Sequence, residues 1–473
     1  MKEPRCLSRP LQYYCTAGKG MEQFLATEVV CKLSASDVNH VTGKVFFTTC
    51  ADVKEVTGLK SAERLFLLLK RLPPLAEKGN AAQLIQEQII GEHQAWTDAL
   101  SLWQSLRKAL EGHDLDPVGR GQSRKRKREW GESEREGPVF EGPGQVKCHV
   151  PDMETEKEAA PRVGLPLVDE TPEEHGVPGC QPKAVTFRVC CRTSGAVSRR
   201  FNFQDLGRMI GVAISKQLGW RTDLKEPDLE VNVHLSDDHS VLGLPLLRLP
   251  LASRSYIKTA GLRCTVAWAM ASLADIKPGS CVLDPMCGMG TILLEAAKEY
   301  QNSFFLGMDI DGSQLEKARE NVQFAELNQR IELLQSSVTA IPVPSCSVDA
   351  VICDIPFGRK FGCKADMAAS LPVIVKEMER VLCVGGVLVL LLSPPLSALL
   401  RRSCQRAAAA AAVSQPGEPP SQPSPGRTGG TTSSHATPVF PSLEPLGVHR
   451  VSLGTTDALI HKFRKVSVPR EGS

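Results

Sequence analysis

Val282-Leu283-Asp284-Pro285-Met286-Cys287-Gly288-Met289-Gly290-Thr291, continued at once by Ile292-Leu293-Leu294-Glu295-Ala296-Ala297, is an apolar run ending in an acid, then two glycines one residue apart, then a run of good helix formers. That pattern predicts a strand, a tight loop and a helix. Glycine in such a loop lets a ligand approach the backbone closely, and the first turn of the helix offers N–H groups that no intrahelical carbonyl takes. The stretch reads as a pocket for a nucleoside-containing cofactor. A Gly-x-Gly turn that holds no ligand has the same pattern.

Downstream, Phe304-Phe305-Leu306-Gly307-Met308-Asp309 is a second strand ending in an acid, and Ser313-Gln314-Leu315-Glu316 fits a capping box that starts a helix over 315–327. Residues 331–334 and 348–353 predict two more strands, the latter ending at Asp354, and residues 387–392 a fifth that is buried on both faces. Strands alternating with helices predict a doubly wound, Rossmann-like α/β sheet whose ligands sit at the carboxyl ends of the strands. An acid ending the second strand can accept from both ribose hydroxyls, which suits NAD and S-adenosylmethionine alike. Two observations separate them. Leu293 stands where the third glycine of G-x-G-x-x-G would be, and Asp354-Ile355-Pro356-Phe357-Gly358 follows the fourth strand. The expected contacts to an S-adenosylmethionine cofactor are Asp284, Met286, Cys287, Gly288, Gly290, Thr291, Asp309 and Ile310.

The Asp-x-Pro-Phe tetrad suits methylation of a planar exocyclic amine, whose lone pair is delocalised into its ring. Asp354 and a backbone carbonyl near Ile355 or Pro356 would accept from the amine's N–H groups and favour lone-pair character on nitrogen. Pro356 fixes the chain locally, and Phe357 offers a face for a base to stack on. The expected catalytic set is Asp354, Pro356 and Phe357, with no metal, because holding nitrogen and an activated methyl group in line supplies most of the rest. A loop turn with a buried phenylalanine is the bland alternative for the tetrad taken alone.

The 473 residues predict about two or three domains. The 16 cysteines are scattered through apolar stretches with no CxxC pair, which reads as reduced thiols and not as a disulfide set. The first ten residues carry no apolar run and do not read as a secretory signal. Residues 381–400 are almost wholly apolar and long enough to consider for a membrane span, but Gly385-Gly386 and Pro394-Pro395 divide them, so a buried strand is expected and no membrane.

Upstream, residues 1–111 read as a compact α+β unit: a strand over 11–16, a helix over 21–33, a hairpin turning at Thr42-Gly43-Lys44, a helix over 62–71 and helical spacing over 81–110. From 112 to 180 Gly, Pro and charged residues dominate without an apolar period, the composition of a flexible linker. It contains Arg124-Lys125-Arg126-Lys127-Arg128, which is a solvated charge run, a nuclear-import signal or an auxiliary RNA contact. Residues 181–252 predict a second small α+β domain, with a helix over 205–218 and a strictly alternating strand over 229–235 on which His234 reads as an ordinary exposed histidine. Between Lys183 and Lys225 lie nine Lys/Arg against two acids, while the whole chain carries only +3. A local positive patch on an otherwise mildly acidic chain is the footprint of a phosphate-backbone partner, and Arg188, Arg192, Arg199, Arg200 and Lys216 are the expected RNA contacts; a patch that only solubilises the domain is the alternative. The last domain is expected over 253–473, with a structureless Ala/Pro/Ser tract over 404–446 inserted before two terminal strands.

With these motifs in place, the chain resembles the THUMP-containing RNA guanine-N2 methyltransferases. Asp284-Pro-Met-Cys-Gly-Met-Gly-Thr291, Asp354-Ile-Pro-Phe-Gly358, Val231-Asn-Val-His-Leu235, Gly43-Lys-Val-Phe-Phe-Thr-Thr-Cys50 and Ser61-Ala-Glu-Arg-Leu-Phe66 carry the resemblance. It implies a ferredoxin-like N-terminal unit, a THUMP domain that grips structured RNA, a Rossmann-like catalytic domain, S-adenosylmethionine as donor and N2-methylguanosine as product. It implies U6 small nuclear RNA or transfer RNA as substrate, a heterodimer with a small zinc-binding activator subunit, and the nucleus, with the cytoplasm second, as location. Ile355 replaces the proline of Asp-Pro-Pro-Tyr relatives. Ser336-Ser337-Val338 stands where many methyltransferases place an acid beside the adenine, which leaves Ser337 as the expected contact there. A catalytically inactive RNA-binding scaffold and an adenine-N6 or protein-amide methyltransferase are the competing readings.

Overall fold

The computed structural model describes residues 9–74, 85–111, 185–200, 202–357, 367–412, 440–454 and 456–467. The expected linker over 112–180, its basic run 124–128 and Gly358 lie outside these residues.

The chain begins with β1 (Leu11–Thr16), α1 (Glu22–Leu33), β2 (Ser36–Val41), β3 (Lys44–Thr49), α2 (Val53–Val56) and β4 (Arg64–Leu72). β1 pairs antiparallel with both β3 and β4, the ferredoxin-like arrangement that the resemblance implies. The expected helix over 62–71 is a strand instead. Leu65, Phe66 and Leu67 are all buried, on alternating faces, and an apolar run buried on both faces has no period by which strand and helix can be told apart. The helical run expected over 81–110 is broken at Gly91 (φ 62°) into a π-helical turn, Ile85–Ile90, and α3 (His93–Glu111).

After residue 184 come β5 (Thr186–Thr193), α4 (Val197–Arg200), α5 (Phe203–Leu218), β6 (Arg221–Thr222), β7 (Leu229–Leu235) and β8 (Ser240–Pro245). β8 pairs antiparallel with β4, so residues 11–72 and 186–245 build one eight-stranded sheet, ordered β2-β3-β1-β4-β8-β7-β5-β6. Two units that read as separate in the sequence share a continuous sheet. One face packs α1, α3 and α5 through Tyr13, Phe47, Leu67, Trp96, Ile210, Ile214 and Val231. The other face carries Tyr14, Phe46, Phe66 and Val241, with Tyr14 stacked on Phe66 at 4.6 Å.

That second face is concave. β3 and β7 are four positions apart in the sheet, and spacings of about 4.8 Å would put them roughly 19 Å apart on a flat sheet. Lys44 Nζ of β3 nevertheless meets His234 Nδ1 of β7 at 2.6 Å. His234 is therefore half-buried and hydrogen-bonded, not the plain exposed side chain its alternating strand predicts.

The remaining elements are α6 (Cys264–Leu273), β9 (Cys281–Asp284), α7 (Thr291–Glu299), β10 (Phe304–Asp309), α8 (Gly312–Phe324), β11 (Ile331–Gln335), β12 (Val348–Asp354), α9 (Met367–Val381), β13 (Leu382–Leu392), α10 (Pro394–Ala412), β14 (Leu443–Ser452) and β15 (Asp457–Lys465). They form a seven-stranded sheet, β11-β10-β9-β12-β13-β15-β14, parallel through β13 and closed by an antiparallel pair. β9 lies between β10 and β12, so the strand order reverses there and a crevice opens at its carboxyl end.

Helix α8 is capped by Asp311, whose side chain accepts from the backbone N of Ser313 at 2.8 Å; the expected box starting at Ser313 lies two residues too late. The apolar stretch 381–400 divides at Pro394-Pro395 as expected, but not at Gly385-Gly386, which lie within β13. β13 is buried over Val387–Leu392, and α10 starts on Pro394, a residue suited to a helix's first position because its missing N–H would have no partner there. No helix among the described residues is long and apolar enough to cross a membrane. Of the tract expected to be structureless, 404–412 continue α10 and 443–446 open β14, while 413–439 lie outside the described residues.

Candidate active site

Four consecutive segments converge at the carboxyl edge of the second sheet: the loop after β9, Asp309-Ile310 after β10, Ser336-Ser337 after β11, and Asp354 to Phe357 after β12. In the first, Gly288 and Gly290 adopt φ of 51° and 77°, where a side chain would be strained. A Cβ on Gly288 would meet nothing within 4 Å, so the loop backbone there is open to a ligand. Cys287 N donates to Met308 O at 2.8 Å, tying the loop to β10. Gly307 makes room for the loop from the strand side, since a Cβ on it would lie 2.6 Å from Leu293 and 3.1 Å from Cys287 Sγ.

Asp309 is held by two backbone donors, Gly288 N to Oδ2 and Asp311 N to Oδ1, both at 2.9 Å. Those bonds aim the carboxylate at the loop's edge and leave its remaining lone pairs for ribose hydroxyls. Ile310 beside it is 70% exposed, so its apolar face is open to a flat ligand at the crevice. Ser337, half-buried, bonds its Oγ to Thr339 Oγ1 at 2.8 Å. Met286 N donates to Asp284 Oδ1 at 3.2 Å, while Asp284 Oδ2 is buried with no partner. Burial, with Asp354 and Asp309 nearby, holds the Asp284 carboxyl well above the usual carboxylate range.

This set fits S-adenosylmethionine. The cofactor is cationic at sulfur and at its amino group, and here an orphaned buried carboxyl oxygen, a cluster of acids and a glycine backbone with open space share one crevice. When bound, it supplies a methyl group already activated by the positive sulfur. Asp309→Asn keeps one acceptor but loses the charge, and a hydrogen bond to a charged group contributes about 1.5–3 kcal/mol. We expect the cofactor dissociation constant, measured by calorimetry, to rise about 10- to 100-fold, with kcat at saturating cofactor nearly unchanged.

Asp354 ends β12, in register with Leu391, and Ile355 N donates to Leu391 O at 3.1 Å, which fixes the turn. No described group donates a hydrogen bond to the Asp354 carboxylate, and burial pushes it up to about 7. Ile355 is fully buried and Phe357 packs against the core beneath the loop. A desolvated carboxylate with free lone pairs is poised to accept N–H groups from an incoming amine.

The segment before α6 is tied to α8, the glycine loop and α7 by buried side chains. Asn321 is fully buried: Oδ1 accepts from the backbone N of Lys258 and Thr259, and Nδ2 donates to Thr259 O and Met289 O, at 2.7–3.1 Å. Thr291, expected as a cofactor contact, turns its Oγ1 to Gly261 N at 3.0 Å. Arg254 bonds both oxygens of Glu295, at 2.8 and 3.2 Å, and also Lys60 O at 2.5 Å, and Tyr256 O–H donates to Glu295. A signal for Asn321 does exist: it occupies a core-facing position of α8, spaced with Leu315, Ala318 and Val322, where a polar residue needs a partner.

The expected RNA contacts are not brought into one patch. Arg188 and Arg192 lie on the concave face, and Arg188 is already paired with Glu230 at 2.8 Å. Lys216 is exposed on α5, which packs against the opposite face, and Arg199 is exposed on α4. The Arg200 side chain lies outside the described residues.

Fold and site together define a Rossmann-like methyltransferase domain preceded by an RNA-module sheet, and comparison with known proteins agrees. Residues 252–415 match the family model described as "RMKL-like, methyltransferase domain", and residues 167–244 match the THUMP domain. The chain is 42% identical over 98% of each chain to the Bos taurus protein "U6 snRNA (guanine-N(2))-methyltransferase THUMPD2". It is 26% identical over 80% of each chain to the Bos taurus "tRNA (guanine(6)-N(2))-methyltransferase THUMP3". Among solved structures, TrmN from Thermus thermophilus superposes with a TM-score of 0.59 at 21% identity, covering 96% of this chain and 100% of that one. The chain belongs to the THUMP-domain guanine-N2 methyltransferase family.

Proposed function

We propose that this chain transfers a methyl group from S-adenosylmethionine to the exocyclic N2 of a guanosine in a structured small RNA, with U6 small nuclear RNA the favoured substrate and transfer RNA the next. The observation that carries the reading is the desolvated Asp354 carboxylate beside the glycine loop, without a hydrogen-bond donor among the described residues. Asp354 accepts from one N–H of the guanine amine, and a carbonyl at Ile355 or Pro356 accepts from the other. Phe357 stacks on the base. Asp284, Met286, Cys287, Gly288, Gly290, Asp309, Ile310 and Ser337 line the donor, while Thr291 positions the segment before α6. Nitrogen gains the methyl group and loses a proton, which a carboxylate held near neutrality can take. Arg188, Arg192, Arg199, Arg200 and Lys216 contribute to RNA attraction from more than one face.

The same reading includes a small zinc-binding activator subunit and work in the nucleus. Support for a protein partner comes from β11, one of the two edge strands of the catalytic sheet, whose Leu334 is 41% exposed; an open strand edge is a pairing site for another chain. Incubating the chain, alone and co-expressed with the activator, with U6 small nuclear RNA or a transfer RNA pool and methyl-labelled donor tests the substrate. Greater incorporation into U6 RNA supports the assignment, and incorporation confined to transfer RNA reverses the order.

A further inference from the structure

The concave face of the eight-stranded sheet holds a cluster that methyl transfer at Asp354 does not use. Lys44 is only 6% exposed, yet among the described residues it has no carboxylate partner. Its Nζ donates to His234 Nδ1 at 2.6 Å, and His234 Nε2 lies 3.3 Å from Ser194 Oγ. Burial and the neighbouring Arg192 push the Lys44 amine down to about 8, while burial, then Lys44, His239 and Arg192, push His234 down to about 4. His234 is thus neutral and accepts at Nδ1, so it removes none of the cluster's positive charge. Glu230, the acid on the same face, is taken up by Arg188 at 2.8 Å and Arg64 at 3.9 Å. A buried ammonium without a counter-ion is unfavourable unless an anion completes it.

We propose that Lys44, Ser194 and Arg192 form a phosphate subsite that takes one phosphodiester group of the bound RNA, with Lys44 at its base and Arg192 at its exposed rim. This rests on the RNA reading above and adds to it a specific anchor, one that the N-terminal unit supplies and that only the curl of the shared sheet assembles. The placement suits delivery to the catalytic domain. Lys44 adjoins the hairpin turn between β2 and β3, and Val41 and Thr42 of that hairpin line a groove together with Lys19, His449 and Arg450. Lys19 O accepts from Ser452 N of β14, so the groove, which Glu22 also lines, runs against the catalytic sheet.

The test is the salt dependence of U6 small nuclear RNA binding by the full chain. Lys44→Gln weakens binding roughly tenfold near 0.1 M salt and lowers the slope of log affinity against log salt by about 1, the effect of losing one phosphate contact. Lys44→Arg restores the slope, and cofactor affinity is unchanged in both. Arg192→Gln, at an exposed position that cannot disturb the core, lowers the slope in the same way and keeps the test valid if Lys44→Gln fails to fold. A folded Lys44→Gln chain, or the Arg192→Gln chain, with wild-type affinity and slope overturns the subsite while leaving the methyltransferase reading intact. Absence of salt-dependent RNA binding by the wild-type chain overturns both.

Discussion

Replacing Asp354 with alanine lowers methyl transfer about 10²- to 10⁴-fold, the range for loss of a positioned proton acceptor, while the cofactor dissociation constant stays within about threefold. The expectation follows from what the carboxylate does not do. Among the described residues it neither ties the glycine loop nor caps a helix, and Ile355 N, not Asp354, makes the bond to Leu391 that holds the turn. The loss therefore falls on kcat more than on cofactor binding, and equal losses in kcat and cofactor affinity would contradict the role. The wild-type rate with limiting RNA rises with pH through about 7, because only the ionised carboxylate accepts from both the amine and its departing proton.

The same burial has a consequence for stability. Because the folded-state value is raised to about 7 above the ordinary carboxylate value of about 3.9, the folded chain holds a proton that the unfolded chain has released between those limits. Stability contributed by this group is present at low pH and lost as pH rises through about 7. Asp354→Asn is therefore more heat-stable than wild type at pH 8 and gains nothing at pH 4. A stability difference independent of pH would show that the carboxylate is better solvated than its position indicates.

The second large effect is at Arg254. Its side chain is 3% exposed and that of Glu295 is fully buried, with Tyr256 and Lys60 O as further partners. Arg254→Ala strands the Glu295 charge in the core and destabilises the chain by about 3–5 kcal/mol, as breaking a buried pair does. Arg254→Lys recovers less than half, because an ammonium cannot reproduce the two-atom contact. Arg254→Met combined with Glu295→Met recovers more than Arg254→Ala alone, since no uncompensated charge remains. Denaturant midpoints measure all three. A loss under about 1 kcal/mol for Arg254→Ala would mean that water or another cation reaches Glu295.

The local parts of the site are legible in the chain itself. Asp284, Asp309 and Asp354 each end a strand, the two glycines lie in the loop that leads into a helix, and the chemistry of a strand end is carried by residues adjacent in sequence. What depends on sheet closure is not legible in that way. Residues 62–71 read as a helix because Leu65, Phe66 and Leu67 are all apolar, and only pairing with β1 and β8 reveals two buried faces. His234 reads as exposed because a flat sheet would leave it so; the curl brings it to Lys44, which is 190 positions away. The basic residues read as one patch because charge is counted along the chain, whereas α5 carries Lys216 to the face opposite Arg188 and Arg192. Asn321 shows only as a polar residue on a core-facing stripe, because its partners are backbone atoms of a segment without regular structure, and Arg254 escapes notice because Glu295 and Lys60 O, which it joins, are 41 and 194 positions away.

The most direct test of the account is the identity of the product. U6 small nuclear RNA incubated with the full chain, the activator subunit and methyl-labelled S-adenosylmethionine is digested to nucleosides and separated. Label is expected in N2-methylguanosine and is lost with Asp354→Ala. Label in N6-methyladenosine, label that persists in the Asp354→Ala chain, or no label in RNA despite bound cofactor would contradict it.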